Sequence, residues 1–230
     1  MKLCLLAASL ALGFHVNAQQ NYVGRYDVYS GFAYFDSPDI RLIERGYHLQ
    51  LGYNLRTWLA TGFDYSVVTG TLTLTPDLLK PSLAAQIAAQ LAPLVQAGLI
   101  PPTYILSIPV ASTTHTFAAG PQLEYRHFQH VTLFLRPSIG AIYEIASPRA
   151  TDPIAAAIAK QLAPSGEKSE WKPFFGVGWG GEVNITEHFS LRMQADFVHN
   201  ALFTDILKQS RNTWRLSVGP AVHFGKNIVR

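Results

Sequence analysis

The stretch from Ile43 to Val67 alternates apolar and polar residues at every second position. Because successive side chains of a β-strand point to opposite faces, this period predicts two strands, each with an apolar and a polar face. The polar turn Arg56-Thr57 separates the two runs, as in a β-hairpin. The runs are about a dozen residues long, against a usual mode of about five or six. The apolar face is either the core of a soluble β-protein or the lipid-facing surface of a membrane barrel.

Six further segments alternate in the same way, which gives eight predicted strands in all. The connections after odd-numbered strands are longer than those after even-numbered strands. Membrane barrels of the outer-membrane type show this asymmetry, with short periplasmic turns and longer extracellular loops. The sequence therefore predicts an all-β fold, an eight-stranded antiparallel up-and-down transmembrane barrel. The predicted strands are 24–35, 43–55, 59–67, 113–126, 131–145, 171–185, 189–200 and 213–225.

Three prolines lie on the apolar parity of predicted strands 4, 5 and 8, that is, among the alternate positions whose side chains form the apolar face. Proline has no backbone N–H and interrupts a regular ladder. We therefore expect bulges or locally opened pairing at Pro121, Pro137 and Pro220.

The first residues have the layout of a secretory signal peptide. An apolar run from Leu3 to Val16 follows the positive charge of Lys2, and Val16-Asn17-Ala18 is a small-residue cleavage site. The apolar run is too short for a membrane-spanning helix. We expect residues 1–18 to be a signal peptide and residues 19–230 to form one outer-membrane barrel domain.

Composition argues against several kinds of partner and cofactor. The net charge of +3 is too small, and too evenly spread, to indicate nucleic acid binding. Cys4 is the only cysteine and lies within the predicted signal peptide, so no disulfide or thiol chemistry is expected. His127, His130 and His188 fall on predicted turns and could approach one another, but solvated turn histidines are far commoner than metal ligands. We expect no metal and no cofactor.

The predicted inward face combines glycines with charged side chains. An eight-stranded barrel is only wide enough to be filled by its own side chains. Removing charges from water is costly unless they pair, so we expect an interior ion-pair network. Such a network is either a structural plug or the lining of a narrow or gated water path. The predicted lumen charges are Arg25, Asp27, Glu44, Asp64, Glu124, Arg126, Arg136, Glu182, Arg192, Asp196 and Arg215.

Neighbouring strands suggest two specific contacts within this network. Glu124 and Arg126 could lie near Arg136. Glu182 could lie near Arg192.

Two segments between strands have the signature of short helices. Each segment begins with a proline, which is favoured at the first position of a helix, and stops at a second proline. The two segments are 81–93 and 153–164. Asp152 is the expected N-cap of the second helix. An apolar residue recurs every four positions and gives each helix one apolar stripe. The stripes either pack together as a cap over the barrel mouth or lie separately on the barrel rim or on lipid. The stripe residues are Leu83, Ile87 and Leu91, and Ile154, Ile158 and Leu162.

The last predicted strand has a more specific pattern. Ser217 is followed by Gly219, and then by Val222 and Phe224 three and five residues after that glycine. This resembles the terminal strand signal read by the barrel-assembly machinery. With the strand layout, the mature chain resembles the small eight-stranded outer-membrane barrels of the OmpA, OmpX and opacity-protein type. Those proteins usually end on the aromatic residue, whereas here residues 225–230 follow, and no peptidoglycan-binding domain follows strand 8 as in larger members.

The resemblance implies a protein of the bacterial outer membrane. Its expected partners are outer-membrane lipid and, during biogenesis, the barrel-assembly machinery; the sequence names no extracellular partner, and a monomer is expected. The leading function is non-enzymatic, in envelope integrity or in binding through the long loops. One alternative is a narrow pore for ions or small solutes.

A lipid-modifying enzyme is the other alternative. It would need a Ser/His/acid or Asp/His group near one rim. His199, Asp205 and Ser210 near the last loop are the candidates, although no His-x-Ser-Asn element of the deacylase type occurs. We therefore expect no catalytic residues.

Overall fold

A computed structural model describes residues 20–229. The strands are β1 (Tyr26–Ser37), β2 (Leu42–Arg56), β3 (Leu59–Leu74), β4 (Ile108–Tyr125), β5 (Val131–Pro148), β6 (Lys168–Asn184), β7 (Phe189–Asn200) and β8 (Arg211–Phe224). Each strand pairs antiparallel with the next, and β8 pairs with β1 to close the barrel. The predicted fold class is confirmed. The predicted signal peptide, its cleavage site and Cys4 lie outside the described residues.

The two ends of the barrel differ in their connections. Both helices predicted between the strands are present, as α1 (Pro81–Gln96) and α2 (Pro153–Leu162), and two short 3-10 turns cover Pro38–Ile40 and Pro76–Leu78. We call one end the long-loop end and the other, where the chain segments before β1 and after β8 lie, the short-turn end. The long-loop end has loop 1 (38–41), loop 2 (75–107), loop 3 (149–167) and loop 4 (201–210), and the short-turn end has turns 57–58, 126–130 and 185–188.

Strands β3, β4, β5 and β6 each extend at least three residues further toward the long-loop end than predicted. The β3–β4 ladder continues to the pair Leu74↔Ile108, beyond the predicted end of strand 3 at Val67. Threonines alternate with apolar residues in this extension, and their β-branched side chains fit a strand although they blur the apolar period. Helix α1 also continues past Pro93, where the prediction ended it, because the Ala97 N–H bonds the Pro93 carbonyl at 2.9 Å and completes another turn.

The barrel has an apolar exterior and a polar interior. Phe32, on the outward parity of β1, is 51% exposed, whereas Arg215, on the inward parity of β8, is fully buried. A single closed barrel offers no second sheet against which the apolar face could pack, so the soluble alternative is excluded. The outward face is suited to lipid. Among residues 20–229, no helix combines the length and the hydropathy needed to cross a membrane.

The prolines open the ladders locally, as the sequence indicated. Pro121 on β4 stands opposite Pro137 on β5, and pairing is interrupted between Ala119↔Ile139 and Leu123↔Leu135. Neither proline can donate a hydrogen bond, so the gap follows from their lack of N–H groups.

A similar gap lies between β1 and β8. The pair Tyr29↔Ala221 is followed only by Phe32↔Val218, with Pro220 inside the interruption. Pro220 stays paired with Leu191 on the β7 side.

Helices α1 and α2 share one hydrophobic cluster. Ile87 and Ile158 are both 4% exposed and belong to this cluster with Leu79, Ile108 and Val110. The other stripe residues, Leu83, Leu91, Ile154 and Leu162, border it. Ile108 and Val110 are on the inward parity of β4, so the helices pack on the inner side of the extended barrel wall rather than on lipid.

Replacing Ile87 or Ile158 with aspartate is expected to loosen this cap. A buried carboxylate without a partner is strongly destabilising, so both loops should be cleaved by protease about tenfold faster or more, because cleavage follows the population of the open state. Gln86→Asp and Ala157→Asp place the same charge on exposed faces of the same helices and are the matched controls. Equal cleavage of cap and control variants would exclude a shared cap.

Candidate functional site: the closed lumen

Two arginines and two aspartates fill the middle of the lumen. Arg136 Nη2 lies 2.5 Å from Asp64 Oδ2 and 3.5 Å from Asp196 Oδ1. Arg215 Nε donates to Asp196 Oδ2 at 2.8 Å, and its Nη1 lies 3.4 Å from Asp64 Oδ1. All four side chains are buried. Each carboxylate thus touches two guanidinium groups, and the charges balance while tying β3, β5, β7 and β8 together across the lumen.

Glycines on the inward parity make room for these carboxylates. A Cβ atom on Gly178 would lie 2.0 Å from Asp196 Oδ1, and one on Gly52 would lie 1.9 Å from Asp27 Oδ2. Both carboxylates would have to move if alanine replaced the glycine. The glycine-rich inward face predicted from the sequence is therefore the space into which the acidic side chains fit.

A second group of charges lies closer to the short-turn end. Arg192 forms an ion pair with Glu182 on the neighbouring strand, which is the contact suggested by the sequence. Its Nη2 also donates to Asp27 Oδ1 at 2.9 Å. The guanidinium carbon lies 5.4 Å from the ring centroid of Tyr29 and 5.5 Å from that of Phe134. Arg192 is therefore held by charge and by cation–π contacts at once.

Glu124 and Arg126 do not approach Arg136 as a pair, and that part of the sequence interpretation is wrong. Arg126 Nη2 lies 2.5 Å from Glu124 Oε2, and Gln122 Nε2 donates to Glu124 Oε1 at 2.7 Å. These contacts satisfy Glu124 near the short-turn end. Arg136 instead lies against Asp64 and Asp196.

Arg25 is a predicted lumen charge that lies at the mouth of the barrel rather than inside the lumen. It precedes β1, and its Nη1 donates to the Asn54 carbonyl at 3.3 Å. Its guanidinium carbon lies 5.5 Å from the Tyr53 ring centroid. Among residues 20–229, no carboxylate is within ion-pair distance of Arg25. Strand β1 begins at Tyr26, two residues later than the predicted start at residue 24, so this side chain sits at the mouth.

A third group of charges lies toward the long-loop end. Ser112 Oγ donates to Glu44 Oε1 at 2.8 Å and lies 3.0 Å from Glu144 Oε1. Arg211 forms an ion pair with Glu144. Glu44 was predicted, whereas Glu144 and Arg211 were missed. Glu144 has the inward parity of β5 and could have been found, but Arg211 precedes the predicted start of strand 8.

The lumen is apolar at the long-loop end, which the sequence analysis did not predict. Loop 4 folds into the barrel mouth, where Leu202 is 0% exposed and Phe203 has a φ of 52°. The Phe203 N–H donates to Glu170, and the Lys80 N–H bonds the Ile206 carbonyl at 2.8 Å. We call this cluster the apolar plug; its buried members are Ile40, Leu42, Leu78, Ala118, Ile142, Phe174, Val198, Leu202, Phe203 and Leu207.

Two Ser-His-acid groupings occur in the lumen, and neither has the geometry of a catalytic triad. Ser190 Oγ lies 2.9 Å from His223 Nε2, but Glu182 Oε2 lies 3.4 Å from that same nitrogen. In a working triad the acid bonds the other ring nitrogen and orients the imidazole.

In the second grouping the histidine and the acid are too far apart. His48 Nδ1 lies 3.1 Å from Ser217 Oγ, and His48 Nε2 lies 3.9 Å from Asp64 Oδ2, which is beyond hydrogen-bond distance. Asp64 is also engaged by two arginines.

The residues suggested for catalysis near loop 4 have other partners. His199 Nδ1 lies 2.9 Å from Asn212 Oδ1. Asp205 Oδ2 accepts from Lys168 Nζ at 2.6 Å. Their contacts are structural, and they do not meet Ser210 as a triad. Residues 20–229 contain no group of three or more His, Cys, Asp or Glu side chains arranged to hold a metal ion.

The residues of the predicted assembly signal all lie on β8. Ser217 and Gly219 are on the inward parity, and Val222 and Phe224 are on the outward one. Phe224 stacks on Tyr26 with ring centroids 5.6 Å apart. Their recognition by assembly machinery stays a prediction.

Outside the strands, loops 2 and 3 are joined by a polar contact. The Tyr104 hydroxyl donates to Asp152, the N-cap of α2, and Asp152 also accepts from the N–H groups of Ile154 and Ala155, each at 3.3 Å. The tyrosine hydroxyl is the main cause that lowers the pKa of Asp152. Burial and the neighbouring carboxylate raise the pKa of Tyr104 to about 12.

This contact should be stable across a wide pH range. Because the folded pKa of Asp152 is lowered, its contribution is present above the unfolded value of about 3.9 and is lost only as the pH falls through the folded pKa. The pKa of Tyr104 is raised, so its hydroxyl bond persists at neutral pH and is lost as the pH rises through about 12.

Removing the tyrosine hydroxyl tests the acid side of this prediction. Tyr104→Phe should raise the titration midpoint of the Asp152 carboxyl carbon, measured by NMR, toward about 3.9. Tyr22→Phe, at the other end of the barrel, should leave that midpoint unchanged. An unshifted midpoint in Tyr104→Phe would show that the helix N-terminus alone determines it.

Comparisons with known proteins identify the fold. No family model matches the sequence, and no curated protein matches it either. Among solved structures, Neisserial surface protein A matches with a TM-score of 0.56 and 10% identity, covering 88% of this chain and 99% of that one. The outer membrane protein OprG from Pseudomonas aeruginosa matches with a TM-score of 0.50 and 12% identity, covering 91% and 100%. The chain has the fold of the small outer-membrane β-barrels.

Proposed function

We propose that this protein is a non-enzymatic barrel of the bacterial outer membrane that acts through its surface rather than its lumen. The short-turn end faces the periplasm and the long-loop end faces outside, as is usual for barrels of this fold. The protein supports envelope integrity or binds a partner through loops 2 and 3.

The double closure of the lumen is the observation that supports this proposal best. The apolar plug blocks the long-loop end, with Leu202 completely buried inside the barrel. Below it, Arg136 and Arg215 cross the lumen to Asp64 and Asp196. A solute would have to displace both layers. Moving buried charges apart without water is costly, so the ion pairs favour a plug over a path.

The loops are the remaining surface through which the protein could act. Loop 2 presents Leu99 and Ile105, which are 72% and 74% exposed, near its tip. Loops on a rigid scaffold are where binding residues concentrate. Exposed apolar side chains on such a loop favour contact with another surface.

A planar-bilayer recording tests the closed lumen. The protein is first shown to be folded by its heat-dependent gel mobility, and is then expected to give no conductance steps. Stable steps that change in Arg136→Ala or Glu124→Ala, but not in Arg56→Ala at the exposed end of β2, would instead establish a narrow pore lined by the charge network.

The role of loop 2 is tested separately. Residues 81–105 are replaced by a short glycine–serine linker in cells that display the barrel. A binding role predicts that adhesion of the cells falls while the barrel stays folded. The other outcome is that the loop 2 variant adheres as before while cells that lack the whole protein become more sensitive to detergent. That outcome would assign the function to the barrel body.

A further inference from the structure

The segment before β1 crosses the short-turn mouth of the barrel. Gln20 Nε2 donates to Thr132 Oγ1 at 2.8 Å, and Arg126 Nη1 donates to Gln20 Oε1 at 3.1 Å. Thr132 is the second residue of β5, which lies on the opposite side of the barrel from β1 in the closed strand order. Gln20 is only 5% exposed. Residues 20–25 therefore span the mouth from one side to the other.

The chain after β8 holds this same segment in place. The Val23 N–H donates to Asn227 Oδ1 at 3.0 Å, and Asn227 Nδ2 donates to the Asn21 carbonyl at 2.9 Å. The Ile228 N–H bonds the Val23 carbonyl at 3.0 Å. Asn227 thus uses both ends of its side-chain amide to bind the segment before β1, and Val23 is buried.

Two further contacts extend this interface to the turn before β7. The Tyr22 hydroxyl donates to the Gly225 carbonyl at 3.0 Å, and the Tyr22 ring lies edge-on to His188 with centroids 4.9 Å apart. Gly225 has a φ of +91°, a conformation that side-chain-bearing residues rarely adopt. The glycine therefore lets the chain turn back beneath the barrel directly after β8.

These contacts lie below a weak part of the barrel wall. The β1–β8 ladder is interrupted between Tyr29↔Ala221 and Phe32↔Val218, at Pro220. This ladder joins the first and last strands and is the only one without a connecting turn. Contacts that tie the two chain segments together therefore act on the ladder that has the least covalent support.

We propose that residues 20–25 and 225–228 form a latch that seals the short-turn mouth and holds β1 against β8. The latch gives a role to the residues after Phe224, which depart from the pattern of related barrels. Since it joins the segment before β1 to the segment after β8, it forms only after β8 has paired with β1. It does not depend on whether the loops bind a partner.

Cysteine labelling in the folded full-length barrel tests the latch. Ala60 is buried on the inward parity of β3 near the short-turn end, and Ala118 is buried in the apolar plug. Each is replaced by cysteine in a Cys4→Ser background, and its reaction with a water-soluble methanethiosulfonate is timed. The latch is opened by combining Gln20→Ala with Asn227→Ala. Lys226→Ala, an exposed substitution in the same tail, is the matched control.

The expected result separates latch opening from general loosening. Opening the latch should speed labelling of Ala60→Cys about tenfold or more, because labelling follows the population of the open state. Labelling of Ala118→Cys should not change. Equal rates for Ala60→Cys in the latch and control variants would overturn the proposal, and so would a parallel rise for Ala118→Cys.

A milder variant covers the case in which the double substitution does not fold. Gln20→Ala alone removes only the far end of the latch and keeps the contacts of Asn227. It should still speed labelling of Ala60→Cys relative to Lys226→Ala. The double variant, where folded, should also unfold at a lower temperature in the gel-mobility assay, and an unchanged temperature would contradict support of the β1–β8 ladder.

Discussion

Replacing Arg215 with methionine is expected to lower the free energy of unfolding by about 3–5 kcal/mol, the usual cost of removing one partner of a buried ion pair. Methionine keeps much of the side-chain volume but leaves Asp64 and Asp196 with only Arg136 between them. One buried carboxylate then lacks a compensating charge. The measurement is urea-induced unfolding in detergent or lipid, followed by the shift in gel mobility.

A second substitution shows whether charge balance is the cause. Adding Asp196→Asn to Arg215→Met leaves Asp64 paired with Arg136 and removes the excess negative charge. Stability should therefore recover in part in the double variant. Arg56→Met, at the exposed end of β2, should stay near wild type. A double variant that is as unstable as the sum of its single changes would argue that packing of Arg215, rather than its charge, matters.

The second large effect is expected at Leu202, the loop 4 residue that lies deepest in the apolar plug. Leu202→Asp would place a charge in the apolar cluster that contains Ile142, Phe174 and Val198. The neighbouring Arg211, which bonds the same Asn200 side-chain oxygen as the Leu202 N–H, is already paired with Glu144. Because an unpaired buried charge costs several kcal/mol, loop 4 should leave the mouth. Trypsin should then cleave after the exposed Lys208 about tenfold faster or more, as expected when cleavage follows loop opening.

Gln209→Asp is the matched control for this experiment, because it adds the same charge to an exposed position of the same loop. Its cleavage rate should resemble that of wild type. The Leu202→Asp barrel should keep its heat-dependent gel mobility, since the ring is closed by hydrogen bonds between strands rather than by loop 4. If trypsin cleaved both variants equally slowly, loop 4 would not be held in the mouth by its apolar side chains.

The fold was predictable because its signal is repeated along the chain. Each strand alternates apolar and polar residues, as Tyr47, His48 and Leu49 do. A shift of a strand by one residue would turn every side chain to the wrong face. The inward parity follows from the same alternation. It placed Asp64, Asp196 and Arg215 in the lumen without any knowledge of their partners.

The partners themselves depend on distances across the lumen, which a single strand pattern does not contain. Glu182 and Arg192 could be matched because they are direct neighbours in the β6–β7 register. Arg136 could not be matched, because its carboxylates lie on β3 and β7, neither of which is adjacent to β5. Contacts between non-neighbouring strands follow from barrel closure and side-chain length, not from local alternation.

The apolar plug was missed for a related reason. Ile142 and Phe174 have the inward parity, so the sequence already contained apolar residues where polar ones were expected. These residues pack against loop 4. The sequence of loop 4 has no alternation from which one could infer that the loop folds into the barrel. The left-handed backbone of Phe203 and its bond to Glu170 turn the loop inward. Such irregular backbone is determined by tertiary contacts rather than by residue pattern.

The contact between Asn21 and Asn227, 2.9 Å from side-chain nitrogen to carbonyl oxygen, also bears on the topology of the chain. The eight strands already form a ring of hydrogen bonds, and here the segment before β1 comes together with the segment after β8. A short peptide between residues 21 and 227 would make the backbone itself circular. Adjacent ends of this kind are the condition under which circular permutation is tolerated. New ends could then be placed at the exposed tip of loop 2, beside Gly98, so that both would emerge on the other side of the membrane.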